Sequence, residues 1–116
     1  MSNWKNSILI TGAGSGFGAA LAHRYAADGW NVAVTDIDEA RAHQVCAELQ
    51  GFPGDIFSLK LDITSDEQWH TVHDTVLQSW GGLQILVNNA GVASSGNVED
   101  TSIENWQWVL DIDLMG

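Results

Sequence analysis

Ser7-Ile8-Leu9-Ile10-Thr11-Gly12-Ala13-Gly14-Ser15-Gly16-Phe17-Gly18 is the stretch on which the reading of this chain turns. Its first five residues are an apolar run of strand length, cut off by glycines before a series of alanines begins. A strand with one wet face alternates apolar and polar residues, whereas one buried on both faces reads as a continuous apolar run. Ile8, Leu9 and Ile10 do not alternate. The first strand is therefore expected inside a parallel sheet with helices on both sides.

The same kind of segment recurs along the chain. Residues 17–28 carry alanines, with Leu21 and Tyr25 at helical spacing, and Gly29 offers a C-terminal cap. Residues 31–36 form a second strand. Ala42, Val45, Cys46 and Leu49 repeat as i, i+3, i+4, i+7, one helical stripe ending before Gly51-Phe52-Pro53-Gly54. Residues 56–61 form a third strand. Ser65 and Gln68 have the spacing of a capping box, and Trp69, Val72, Val76 and Trp80 share one face of a helix closed by Gly81-Gly82. Residues 83–87 form a fourth strand and 88–100 a polar loop, after which Thr101 and Glu104 open a last helix running to Met115. This order predicts a single α/β domain over residues 1–116. It is a Rossmann-type, doubly wound parallel sheet of four strands in the order 3-2-1-4, with ligands at the switch point between the first and fourth.

Composition narrows the partners. The 116 residues include 4 basic and 15 acidic side chains, a formal charge of −11, and 45% are hydrophobic. That is ordinary globular composition, and a chain of this size buries roughly two-thirds of its unfolded surface. A strong negative field repels phosphate backbones and anionic headgroups, and Lys5, Arg24, Arg41 and Lys60 form no basic patch. Nucleic acid and membrane surfaces are accordingly not expected as partners. No apolar run approaches the roughly 18 residues of a membrane span. With no leader pattern and one cysteine, a cytoplasmic location is expected. Cys46 lies on an apolar stripe without a neighbouring cation, the setting of an inert thiol. Asp66, His70 and His73 have metal-ligand spacing but read as a polar helix flank, so no metal is expected.

The chemistry concentrates at the glycine-rich turn. Glycines between a strand and a helix let backbone N–H groups approach a pyrophosphate, and the positive helix end favours its charge. Gly12, Ser15, Gly16, Phe17 and Gly18 are the candidates for that contact. Asp36 ends the second strand, where a carboxylate can accept hydrogen bonds from an adenosine ribose. A carboxylate there repels a 2′-phosphate, and nothing basic stands at Ser15 or Ile37 to reverse this, so NAD is favoured over NADP. The alternatives are a purely structural glycine turn and an Asp36 or Asp38 that merely caps the next helix.

Thr11-Gly12-x-x-x-Gly16-x-Gly18, Asp62 after the third strand and Asn88-Asn89-Ala90-Gly91 after the fourth together resemble the short-chain dehydrogenase/reductase family. The resemblance runs through all 116 residues but matches only the N-terminal, cofactor-binding half of that family's fold, so the chain is expected to be truncated. It implies NAD(P)-dependent hydride transfer between a small alcohol and a carbonyl compound. It further implies that Asp62 and Ile63 flank the adenine, and that Asn89, Ala90 and Gly91 support the sheet and line the nicotinamide ribose region. The family's catalytic Ser and Tyr-x-x-x-Lys pair have no counterpart, since the only tyrosine, Tyr25, is followed four positions on by Gly29. Asp113 stands where family members usually carry an Asn that helps a water chain to the catalytic Lys, which makes it the one catalytic candidate. Three functional readings follow. The chain is part of an NAD-dependent oxidoreductase, a non-catalytic dinucleotide-binding module, or a structural and interaction protein.

The last helix is apolar nearly all round, with Ile103, Trp106, Leu110 and Leu114 on one face and Trp108, Ile112 and Met115 on the other. Such a helix must be covered by something. A homo-oligomer is expected, so light scattering at micromolar concentration should give a mass above that of one chain, and a clean monomer would contradict the reading.

Overall fold

The computed structural model describes residues 6–89. Lys5, Ala90, Gly91, Asp113, the loop to residue 100 and the expected last helix lie outside the described residues. Within them the order is β1 (Ser7–Thr11), α1 (Gly16–Ala27), β2 (Asn31–Asp36), α2 (Glu39–Glu48), β3 (Ile56–Lys60), α3 (Asp66–Trp80) and β4 (Ile85–Asn88). The strands form one parallel sheet in the order β3-β2-β1-β4, as the sequence predicts.

Side chains alternate across a strand, and this parity divides the core in two. Ile8, Ile10, Val32 and Val34 pack with Ala22 and Ala26 of α1 and with Ala42, Val45 and Cys46 of α2. Leu9, Ala33 and Leu86 point the other way, onto Trp69, Val72, Val76 and Trp80 of α3. Two helices therefore cover one face and α3 the other. Among the described residues no helix is long and apolar enough to cross a membrane.

Four details differ from the sequence reading. In α1 the buried stripe is Gly18, Ala22 and Ala26, while Leu21 and Tyr25 are half-buried at its flank. The small residues let the helix lie close to the sheet, and the larger ones fill the margin. The fourth strand starts at Ile85 rather than 83, because Leu83 is buried under α3 and the ladder with β1 opens at the Ile8–Ile85 pair. It also runs on through Asn88, opposite Thr11. The third strand stops at Lys60, although the Leu61 N–H still reaches the Asp36 carbonyl at 2.9 Å.

The helix starts are set by local hydrogen bonds. Asp38, not Asp36, caps α2 by accepting from the Arg41 N–H, and Ser65 caps α3 by accepting from the Gln68 N–H. Gly81 closes α3, its N–H returning to the Leu77 carbonyl.

Ile10, fully buried on the central strand, is the most direct test of this arrangement. Ile10→Ala should cost about 2–5 kcal/mol in denaturant unfolding through lost burial and the cavity left behind. A loss well under 1 kcal/mol would contradict the packing described.

Candidate functional site

The strands all end on one side of the sheet, and the chain segments that leave them meet there. The loop after β1 turns at Gly12 and Gly16, both with positive φ (64° and 59°), a conformation that L side chains rarely adopt. Gly18 is required for another reason. A Cβ on it would collide with the Gly12 carbonyl oxygen and come within 2.9 Å of Asn89 Nδ2. The Asn89 amide donates to that same carbonyl at 3.1 Å, and the Thr11 hydroxyl donates to Asn88 Oδ1 at 2.9 Å. The end of β4 thus holds the glycine loop against the start of α1.

The three helix N-termini among the described residues are not alike. α2 and α3 have side-chain caps and acidic residues in their first turns, Glu39 in one and Asp66 and Glu67 in the other. α1 has neither, because Ser15 makes no side-chain cap and the first turn contains no acid. The first N–H groups of a helix have no intrahelical acceptor and carry a partial positive charge. At α1 no capping side chain or first-turn acid among the described residues meets them.

Asp36 is half-buried and bound into this loop. Its Oδ2 accepts from the Gly14 N–H and its Oδ1 from the Asp38 N–H, both at 2.9 Å. Each carboxylate oxygen retains a second lone pair, so both can still accept a hydroxyl. A cavity of about 270 Å³ opens next to it, lined by Gly12, Asp36, Ile37, Leu61, Asp62, Ile63 and Thr64. It lies over the ends of β1, β2 and β3; the switch point between β1 and β4 expected from the sequence adjoins residues outside those described. Ile37 is 61% exposed and Phe17 67%, two large apolar side chains left open at this end of the sheet.

Asp62 Oδ1 accepts from both the N–H and the hydroxyl of Thr64, at 2.9 and 2.6 Å. The Thr64 hydroxyl, then its N–H, and more weakly the charge of Lys60 hold the Asp62 carboxyl below its ordinary pKa of 3.8, against slight desolvation. Among the described residues Oδ2 has no partner, and neither does the Ile63 N–H. An anionic acceptor and a backbone donor therefore stand side by side in the cavity wall.

Of the site residues read from the sequence, Gly12, Asp36, Ile37, Asp62 and Ile63 share the cavity, and Ser15, Gly16, Phe17 and Gly18 form the adjoining turn. Asn89 joins them through Gly12. Ala90, Gly91 and Asp113 are outside the described residues. The sequence reading missed Gly14, which ties Asp36 to the loop, and Thr64, which orients Asp62. The Asp-x-Thr spacing of 62–64, a common side-chain-to-backbone turn, was the available sign. His73 lies 3.4 Å from Asp74, and among the described residues no group of three His, Cys, Asp or Glu side chains is arranged for a metal.

The lowered pKa of Asp62 has a definite sign. Its contribution to stability is present above the unfolded value of 3.8 and is lost as pH falls through the folded one, so the carboxylate stays an acceptor across the neutral range. In a carbon-detected NMR titration the Asp62 carboxyl should titrate below 3.8, and Thr64→Val should move it upward. A midpoint at or above 3.8 in the unsubstituted chain would refute the Thr64 contact.

Known proteins resemble this chain in sequence and in fold. A 2,5-dichloro-2,5-cyclohexadiene-1,4-diol dehydrogenase of Sphingobium indicum is 38% identical over 104 residues, covering 90% of this chain and 42% of the relative. The chain thus spans less than half the length of that protein. A 3-ketoacyl-(acyl-carrier-protein) reductase from Brucella melitensis, solved with NADH, superposes with a TM-score of 0.62 at 36% identity, over 69% of this chain and 32% of that one. The L-sorbose reductase of Gluconobacter frateurii, solved with NADPH, gives 0.67 at 30% identity, over 76% and 33%. The sequence profile of the short chain dehydrogenases matches residues 6–116, and the chain belongs to the short-chain dehydrogenase/reductase family of oxidoreductases.

Proposed function

We propose that this chain forms the dinucleotide-binding half of an NAD-dependent oxidoreductase acting on a small alcohol or carbonyl compound. The observation that carries the reading is the one uncapped, acid-free helix N-terminus among the described residues, that of α1, standing between Asp36 on one side and Asn89 on the other. A pyrophosphate supplies the acceptors those N–H groups lack. The residues present fit such a group. The first turn of α1 holds the phosphates, Asp36 accepts from the adenosine ribose, and Asp62 Oδ2 with the Ile63 N–H meets the edge of the adenine. A 6-aminopurine offers a donor and an acceptor at adjacent positions, the complement of that carboxylate and N–H. When bound, the nicotinamide ring supplies the site that accepts or gives a hydride.

The preference for NAD rests on the charge of Asp36. The two basic side chains nearest to it do not reverse that charge. The Arg41 guanidinium lies 3.5 Å from Asp38, and Lys60, opposite Asp36 in the ladder, is exposed. The dinucleotides in the two solved relatives, NADH in one and NADPH in the other, support a nicotinamide dinucleotide without choosing between them.

Calorimetric titration tests this. NAD+ should bind and NADP+ should bind more weakly, and Asp36→Ala should narrow the preference at least about tenfold, or ~1.4 kcal/mol. Equal affinities before substitution would overturn the NAD assignment, and absence of binding the function itself. The 116-residue chain alone should bind without producing NADH from alcohols, because no Tyr-x-x-x-Lys pair is present to move the proton. Turnover by the purified chain would contradict this and require another proton carrier.

A further inference from the structure

We infer that Gln68 and Trp69, in the first turn of α3, are positioning residues for recognition of the base. They set the discrimination between a 6-aminopurine and a 6-oxopurine from outside the cavity. The inference rests on the dinucleotide reading above and goes beyond it, because neither residue lines the cavity.

Residues 61–65, between β3 and α3, carry Asp62 and Ile63, the base-reading pair of the proposed function. The backbone of this segment is held at each step. The Leu61 N–H donates to the Asp36 carbonyl, and the Ser65 N–H donates to the Asp62 carbonyl, both at 2.9 Å. The other two ties come from α3. Gln68 Oε1 accepts from the Asp62 N–H at 2.7 Å, and Trp69 Nε1 donates to the Ile63 carbonyl at 2.8 Å. The peptide joining Asp62 to Ile63 is planar and trans, so its N–H points opposite to its carbonyl. With the Asp62 carbonyl engaged by Ser65 and the peptides before and after it engaged by Gln68 and Trp69, the direction of the Ile63 N–H is fixed.

Gln68 shows that this is more than helix capping. It occupies the third position of α3, where a capping-box side chain ordinarily returns to the N–H of the cap residue. Here the cap half of the box is present, with the Gln68 N–H 3.2 Å from Ser65 Oγ. The return half is diverted to the Asp62 N–H, and the Ser65 N–H is satisfied by the Asp62 carbonyl instead. An acceptor that could close a local turn is spent on the cavity wall. Trp69 is 1% exposed within the α3-side core, so its indole N–H is a rigid donor whose place is set by packing rather than by the loop it holds.

The test is binding of NAD+ and of nicotinamide hypoxanthine dinucleotide, whose 6-oxo group and N1–H reverse the donor and acceptor of adenine. Both are titrated into the whole protein, with NADP+ as a third ligand. The unsubstituted protein should prefer NAD+ over the hypoxanthine analogue by at least about tenfold, since a site built to hydrogen-bond rejects a ligand that leaves its groups unpaired. Gln68→Met, which keeps length but has no oxygen acceptor, and Trp69→Phe, which keeps an aromatic ring in the core but has no N–H, should each reduce that preference severalfold. Gln68→Glu, which restores an acceptor, should retain it. The ratio of NAD+ to NADP+ affinity, set at Asp36, should not move in any of the three. If both loss variants weaken the two purine dinucleotides equally, or leave the preference unchanged, the inference is overturned while the dinucleotide reading stands. The same holds if the unsubstituted protein binds both analogues alike. If it binds none of the three, the function proposed above fails and this inference with it.

Discussion

Burial of β1 on both faces is the constraint from which the rest of the structure follows. Ile8, Leu9 and Ile10 are each fully buried, with Leu9 turned to one core and its two neighbours to the other. A slip of one residue would exchange the faces and set every side chain against the wrong helix, so the register is strongly specified. Because β1 pairs with β2 on one side and β4 on the other, its end point sets theirs. The Thr35 hydroxyl donates to the Ile10 carbonyl at 2.9 Å, and the Ala13 N–H donates to the Thr35 carbonyl at 2.8 Å. The glycine loop therefore leaves the sheet from a fixed position, and Asp36 is fixed relative to it.

The diphosphate proposed as ligand of so acidic a chain poses an electrostatic question that distance answers. The formal charge of −11 is spread over the whole chain, and charges beyond about 8 Å are largely screened at physiological ionic strength. The N–H groups of a helix terminus act within hydrogen-bonding distance, where screening is slight. The placing of the acids then matters more than their number. Glu39, Asp66 and Glu67 occupy the first turns of α2 and α3, and none occupies the first turn of α1. Net charge argues against extended polyanions and says little about one pyrophosphate held at a helix end.

The strand order, the glycine turn and the carboxylate at the end of β2 were legible because each is a matter of spacing along the chain, whereas Asp62 after β3 was implied only by the family resemblance. What the sequence did not disclose is which of several groups in reach a side chain selects. Gln68 lies at capping-box spacing from Ser65, yet its oxygen goes to Asp62. Asp36 and Asp38 could both have capped α2, and the choice of Asp38 frees Asp36 for Gly14. In α1, Leu21 and Tyr25 have the periodicity of a core stripe, but the alanine face lies one position over and allows closer approach to the sheet. Local periodicity could not settle that choice, because both stripes are helical and only the separation of helix and sheet distinguishes them.

The two carboxylates at the site are held in different ways, and the difference assigns them different physical work. Both oxygens of Asp36 already accept backbone N–H groups, one from the glycine loop and one from the turn into α2. Asp36 is therefore a structural tie whatever it binds, and it fixes the glycine loop through the chain's own hydrogen bonds. Fixing a loop in advance removes an ordering cost from binding. Asp62 is anchored through Oδ1 alone, by Thr64, and keeps Oδ2 open. Removing the Asp36 side chain would release the glycine loop and the turn into α2 together, whereas removing the Asp62 side chain would release only its tie to Thr64. Under the proposed function, affinity and base selectivity are thus separable, the first resting on β2 and the glycine loop and the second on the turn that α3 braces.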